Sequence, residues 1–390
     1  MMGFRAGGLV AVLVAVLALT GCAASDPGSG GSPAGAPAAG IGHAGTPASA
    51  VPKFCAGRPP AAVLTALSRA VPESLRDEVV PLGLSASGQT AYVSVWTPSF
   101  SGVAALSLPG GALHPILRFG NPATDQADGA WGGKWLVWEQ TYSLQSLDDF
   151  TVFGWNSVTG AVSRLGRSLA SPEGIAWPSP WHAPAVSGGY AAWAQGYGPG
   201  GLVQIRLVDL RTGQVTVVAS GHVQAPFFDV GLLVWPGSEH PGAETRLHAY
   251  SLATHRSVQL PAVLRSVRGT DFVATDGVRT AYLSPDLTEL FYSPAPGRAA
   301  VPVLRLPAGV QFADLAIGRG VLAWTTTQAT YLANTVTGAY VQVTPDYGYA
   351  VTGAGAAVIV SDPPASKAAH PALAMHVVES EAIGTHACGR

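Results

Sequence analysis

Two sets of side chains in this chain have the types needed for chemistry. Trp177, Trp181, His182, Tyr142 and Tyr197 lie with Asp148 and Asp149 in stretches broken by Pro, Gly and Ser. Brought together on one face, they would form an aromatic shelf edged by carboxylates, suited to capturing a ligand or a partner surface. The second set is Asp128, Asp271 and Asp314, which stand ten or eleven residues before Trp138, Tyr282 and Trp324. Oxygen ligands around a channel mouth would suit calcium. Turn-forming Asp residues that cap nearby amides account for the same spacing and are the preferred reading, so no cofactor is expected.

Catalytic signatures give nothing to set beside these. The chain has no HExxH, no P-loop, no GxGxxG opening a helix and no G-x-S-x-G elbow in its folded region. No catalytic residue is assigned. Glu239, His240, Glu244 and His248 are close in sequence, but ligands must converge in space to hold zinc or copper. That segment reads as a polar hairpin loop.

Composition narrows the class. Of 390 residues only 11% are charged, net charge is −2, and there are 48 Gly and 31 Pro. Mean hydropathy is +0.28. Low charge with abundant Gly and Pro points to many tight turns between short buried strands. The balance of charge gives no footprint for nucleic acid.

The N-terminus has its own logic. Arg5 precedes an apolar run, Gly8 to Leu19, which is shorter than a comfortable span and ends in Leu19-Thr20-Gly21-Cys22. This order resembles the lipobox of bacterial lipoproteins. The resemblance implies a signal peptide at 1–21 and a lipid anchor on Cys22 at the outer face of the cell membrane. An ordinary secretory signal cut near Ala23-Ala24-Ser25 is the alternative. Residues 22–50 are rich in Ala, Gly, Ser and Pro and bury too little apolar surface to offset ordering, so they read as a tether. With Cys22 lipidated, Cys55 and Cys388 remain, and an oxidising compartment favours a bridge between them.

The elements that position these residues come from a repeat. Ala183 to Gly221 reads as four short strands parted by Gly188-Gly189, Gly198-Pro199-Gly200-Gly201 and Arg211-Thr212-Gly213. Its last turn recurs at Gly111, Gly160, Gly213, His255, Gly297 and Gly338, with gaps of 49, 53, 42, 42 and 41 residues. Before each turn stands an apolar strand, such as Lys134–Gln140 (KWLVWEQ) or Val321–Trp324 (VLAW), and Trp138, Trp193, Trp235, Tyr282 and Trp324 are aligned as one core position. That period belongs to a four-stranded propeller blade. With a weaker copy from Tyr349 to Val378, the expectation is an all-β, seven-bladed β-propeller; six or eight blades are the alternatives. Residues 51–81 are expected to form an N-terminal cap with a helix over Ala61–Ala70, and 82–390 the propeller. The ring would close with a strand from Asp77–Leu84 or Ala382–Cys388.

The "V-W" strand followed by I-x-x-x-D-L-x-T-G resembles the bacterial TolB-like propeller repeat. Ile205, Asp209, Leu210, Thr212 and Gly213 carry the match, and the copies at His255 and Pro294 depart from it. In propellers of this type, the connection entering each inner strand and the loop between second and third strands open on one face. Leu169–Ala183, Thr141–Phe150 and Gly196–Gly201 would meet there. The expected function is a monomeric, non-enzymatic lipoprotein of the cell envelope that binds a protein, glycan or small ligand. The alternative is an extracytoplasmic enzyme using the channel: a glycan hydrolase or lyase, or a quinone-dependent dehydrogenase. Asp128 with Asp148 or Asp149 is the carboxylate pair that the alternative would use.

Overall fold

The computed structural model describes residues 53–67, 79–97, 99–108, 111–143, 148–180, 182–345, 348–353, 356–361, 374–383 and 388. The chain divides into two compact units, Met1–Ala48 and Ser49–Arg390, and every described residue belongs to the second. The signal peptide at 1–21, Cys22, the tether at 22–50 and Trp181 therefore lie outside the described residues. Among the described residues no helix is long and apolar enough to cross a membrane.

The hairpin that ends each repeat shows how local sequence sets the fold. Gly111, Gly160, Gly213, Gly297 and Gly338 have φ between 71° and 76°, and His255 has φ 54°. A residue in that left-handed region lets the chain reverse within one turn, and Gly reaches it without a Cβ clash. An Asp, Asn or Ser opens most of these turns. Asp209 Oδ1 accepts the Arg211 N–H at 2.8 Å, Asn156 Oδ1 the Val158 N–H at 2.9 Å, and Asn334 Oδ1 the Val336 N–H at 2.9 Å. The backbone then closes the loop, as in Gly213 N–H to Asp209 O at 2.7 Å. Short side chains that bond their own turn, followed by Gly, are what make the repeat legible.

These hairpins build antiparallel blades stacked side by side around a ring. The innermost strands are Val79–Leu84, Gln126–Gly132, Ala185–Ser187, Phe227–Asp229, Val273–Thr275, Phe312–Gly318 and Gly348–Gly353. Each touches the next in this order, and Gly348–Gly353 touches Val79–Leu84, so the ring is closed among the described residues. The chain is a β-propeller. Blades one to six each run four strands outward; blade seven shows three among the described residues, Gly348–Gly353, Ala356–Ser361 and Ala374–Glu379. Blades three and four are joined further out, where His222 and Val223 pair with Ser238 and Gly237.

Both faces of a blade are covered by neighbours, and the second strands are apolar on both sides for that reason. Leu136 and Trp138 pack toward blade one with Leu82, Tyr92 and Val103. Val137 packs toward blade three with Ala191 and Trp193. Trp138, Trp193, Trp235 and Trp324 are buried and take one equivalent register position, three residues after the residue that faces Asn156, Asp209, Ser251 or Asn334. Tyr282 shares their face: it packs toward blade four with Val234 and Leu247, as each Trp packs toward the blade before its own, while Leu283 packs toward blade six with Trp324. It stacks on its cross-strand partner Phe291, as Trp138 does on Phe153, although its strand is offset by one residue from Thr280, which faces Ser293.

The termini close the fold differently from expectation. Val79–Leu84 pairs with Thr90–Trp96 as the inner strand of blade one, so it does not complete blade seven, and the boundary expected at 81/82 falls within it. Of Ala382–Cys388, the first two residues belong to the 3-10 turn Ser380–Ile383, and 384–387 lie outside the described residues. The added strand is Cys55–Ala56, which lies parallel to the outer strand of blade six with Cys55 facing Ala339. Cys55 and Cys388 form a disulfide with Cα atoms 5.7 Å apart. Ala61–Leu67 is helical and drives Val63 against Val321, Val378 and Ile383. Both termini are thus latched to blade six. An open sheet edge is covered in the process.

Candidate functional site

Blade two and blade three meet beneath the connection that carries Trp177. Its first half is a miniature hairpin: Ala170 bridges Ala176, the Ser171 N–H meets Ile175 O at 2.8 Å, and the Trp177 N–H meets Leu169 O at 2.9 Å. Gly174 turns its tip at φ 82°. Ile175, which the sequence did not single out, is 70% exposed there, while Trp177 is half-buried.

The second half of the connection is clasped from both sides. Asp148 Oδ1 accepts the Ser179 N–H at 2.9 Å, and Ser179 Oγ accepts the Gly196 N–H at 2.8 Å. Gly196 is needed because a Cβ there would stand 2.1 Å from Pro178 O. Asp149 Oδ1 accepts the Ser168 hydroxyl at 3.2 Å, and the Tyr142 N–H donates to Asp149 O at 3.3 Å. The three loops expected to share a face do meet. Both carboxylates, however, hold the loops to one another.

The rings are less gathered than the carboxylates. Tyr142 is 38% exposed and turns toward a groove between blades one and two, lined also by Arg118, Asn121, Gln140 and Phe153. Tyr197 is half-buried on blade three. Among the described residues, no two of Trp177, Tyr142 and Tyr197 are in ring contact. The expected shelf is therefore a pinned loop with an apolar tip rather than a continuous aromatic surface.

The inner strands carry the stronger electrostatics. Asp128 faces Glu139 across the first two strands of blade two, and Asp314 faces Thr325 at the equivalent place in blade six. Each Asp accepts the N–H of the following residue, Gly129 at 2.8 Å and Leu315 at 2.7 Å. Asp128 is half-buried on the inner strand of blade two. Burial pushes its pKa up to about 6, opposed by the Gly129 N–H and assisted by the Asp314 carboxylate. Asp314 is raised by burial, against the Leu315 N–H. Glu139 is 1% exposed, and burial, then the Asp128 charge, hold its pKa well above the carboxylate range. Sequence reading passed over Glu139 because it sits in an apolar run. A carboxylate beside two Trp residues was the signal.

The remaining candidates scatter. His182 stands where the connection enters blade three; desolvation lowers its pKa while the Asp271 carboxylate works the other way. Asp271 is exposed before the inner strand of blade five. Asp128, Asp271 and Asp314 do not combine into a metal centre: no group of three His, Cys, Asp or Glu is placed to hold a metal ion among the described residues. The pairing of Asp128 with Asp148 or Asp149 is replaced by Asp128 with Glu139. The segment near Glu244 is a loop in which Arg246 Nε meets Glu244 Oε2 at 3.1 Å, and His248 stacks on Trp235.

No protein-family model matches the sequence, and no curated protein matches it. Solved structures do. A prolyl endopeptidase is 12% identical with a TM-score of 0.54; the match covers 83% of this chain and 49% of the other. This chain thus spans about half the length of that protein. An oligogalacturonate lyase of Vibrio parahaemolyticus is 9% identical with a TM-score of 0.51, over 77% of this chain and 91% of the other. TolB of Acinetobacter baumannii is 12% identical with a TM-score of 0.35, over 80% and 63%. At these identities the likeness extends to the fold alone.

Proposed function

We propose that this protein is a binding module of the cell envelope, tethered by lipid on Cys22, which captures a protein or glycan with the loop between blades two and three. The observation that carries the reading is the clasp from Asp148 through Ser179 to Gly196, which holds a loop with an exposed apolar tip in one conformation. A loop ordered before it meets its partner loses less entropy on binding. Large exposed side chains on such loops serve recognition more often than stability.

The decisive comparison is capture from solubilised envelope by the soluble domain from about Val51 and by its Ile175→Asp and Trp177→Ala/Trp181→Ala variants. Ile175→Asp is expected to lose the captured partner while melting within about 1 °C of the parent, because exposed substitutions cost little. Equal capture by parent and loop variants would refute the reading. The anchor is tested separately. Cys22→Ser is expected to move the chain from the membrane fraction to the soluble one, and unchanged membrane association would exclude lipidation at Cys22.

A second reading is supported by the inner two strands of blade two. A carboxylate with pKa about 6 beside another that burial holds well above the carboxylate range is suited to general acid–base work. One neighbour in fold is an oligogalacturonate lyase. Turnover of acidic glycans that is lost in Asp128→Asn would favour this reading over the first.

A further inference from the structure

Glu139 poses a chemical problem that the binding loop does not solve. Both of its carboxylate oxygens are buried without a hydrogen-bond partner, and so is Thr141 Oγ1 two residues along the strand. Glu139 is 1% exposed and Thr141 0%. Among the described residues no Lys, Arg or His is paired with Asp128 or Glu139. An isolated buried carboxylate is costly unless something compensates it.

Register shows what surrounds it. Asp128 faces Glu139 and Gln126 faces Thr141, with no bulge between them. Directly opposed residues share a sheet face, and alternate residues return to it. Gln126, Asp128, Glu139 and Thr141 therefore project from one face of blade two. Val137, on the same face, packs against Ala191 and Trp193, so this face looks toward blade three. It brings together two carboxylates, one hydroxyl and one amide, with Asp314 within electrostatic reach of Asp128 from blade six. Asp128 is only half-buried, so an ion can reach it from solvent.

We propose that this face is a binding site for a hard divalent cation of the calcium class, held by Asp128 and Glu139 and completed by the oxygens of Thr141 and Gln126. Calcium accepts carboxylate, amide and neutral oxygens together in irregular geometry. A bare ion also fits the burial of Glu139, which a bulky ammonium or guanidinium group could not reach. The site would tie the two inner strands of blade two beneath the recognition loop. It does not depend on that loop having a partner.

The test uses the full chain stripped with chelator, then titrated with calcium chloride by calorimetry and thermal unfolding. The parent is expected to bind and to melt higher in millimolar calcium. Glu139→Gln and Asp128→Asn should each weaken binding at least tenfold, whereas Asp271→Asn, exposed and on blade five, should respond like the parent. The two site variants keep the proposal testable if one of them fails to fold. Absence of calcium heat and of any melting shift in the parent would overturn it. An undiminished shift in both site variants would do the same.

Discussion

Replacing Cys55 and Cys388 together by Ser will lower the stability of the folded unit by about 3–5 kcal/mol, the range set by closing a very long loop. The two cysteines are 333 residues apart, so the unfolded chain loses far more freedom to this bridge than to a local one. For a unit spanning Ser49–Arg390, unfolding entropy of about 2.1 cal/mol/K per residue converts this into a melting point roughly 4–7 °C lower. The loss should be greatest where the bridge acts. Cys55–Ala56 pairs with only two residues of blade six, and the Cys388 N–H makes one contact, to Thr337 O at 3.2 Å. Phe54 gives the strand an apolar anchor between Tyr292 and Trp324. Hydrogen exchange should therefore show faster opening of Gly57 and Cys388 in the double variant, while the inner strands stay protected until global unfolding. A melting point within 1 °C of the parent would show that packing alone latches the termini.

Glu139→Gln will stabilise the chelator-treated protein at pH 8 and weaken the fall of its stability with rising pH, leaving the part that belongs to Asp128. The sign follows from linkage. Asp128 and Glu139 have folded pKa values above their unfolded ones, so the native state binds more protons than the unfolded state as pH rises above about 4. Stability is then full at low pH and is lost as pH climbs through about 6 for Asp128, and the raised pKa of Glu139 adds to the loss in the same direction. The shift of Asp128 alone amounts to roughly 3 kcal/mol at 1.36 kcal/mol per unit, reduced to about 2 because its side chain is half-open to water. Asp314 adds to the same trend, and His182 opposes it, since its lowered pKa costs stability as pH falls. Denaturant midpoints of parent and variant across this range decide the matter. Parallel profiles would mean that Glu139 is compensated by a group the register does not place beside it. Added calcium should reverse the order, stabilising the parent and leaving Glu139→Gln behind.

Calcium as the occupant changes what the acidic residues of this chain mean. Asp128, Asp271 and Asp314 recur along the sequence, yet their common feature is a place at the start of inner strands. Two of them use that place to accept the next backbone N–H. Among blades one to six, blade two alone sets a second carboxylate opposite the first. At the equivalent position blades one, three, four, five and six carry Ser94, Ala194, Pro236, Leu283 and Thr325. The unusual residue is Glu139, and its difference from those counterparts is visible only once the strands are aligned by register.

Much of the fold was legible in residues close together in the chain. A turn that starts with Asp, Asn or Ser and ends in Gly carries its own geometry, because its hydrogen bonds and its left-handed residue are local. Repeated with strand-length apolar runs, it specified the blades from Thr90 to Asn334. His255 was placed correctly in that series because position mattered more than residue type. Blade seven was harder: its turn lacks the signature, so nothing local marked its limits.

The site was legible as a place and not as an arrangement. Trp177, Asp148 and Gly196 could be assigned to one face, since loops at the same end of successive blades must converge. The roles of Asp148 and Asp149 as clasps could not be read, because Ser179 and Ser168 lie 31 and 19 residues away. The sequence by itself determined a ring of short, doubly buried β-hairpins and the loops that crown it, through interactions spanning a few residues. Tertiary structure decided which faces meet: the termini on blade six, the loop pinned by Asp148, and Glu139 opposite Asp128. Those outcomes depend on strand register and on which blade stands beside which, because a one-residue shift in register sends a side chain to the other side.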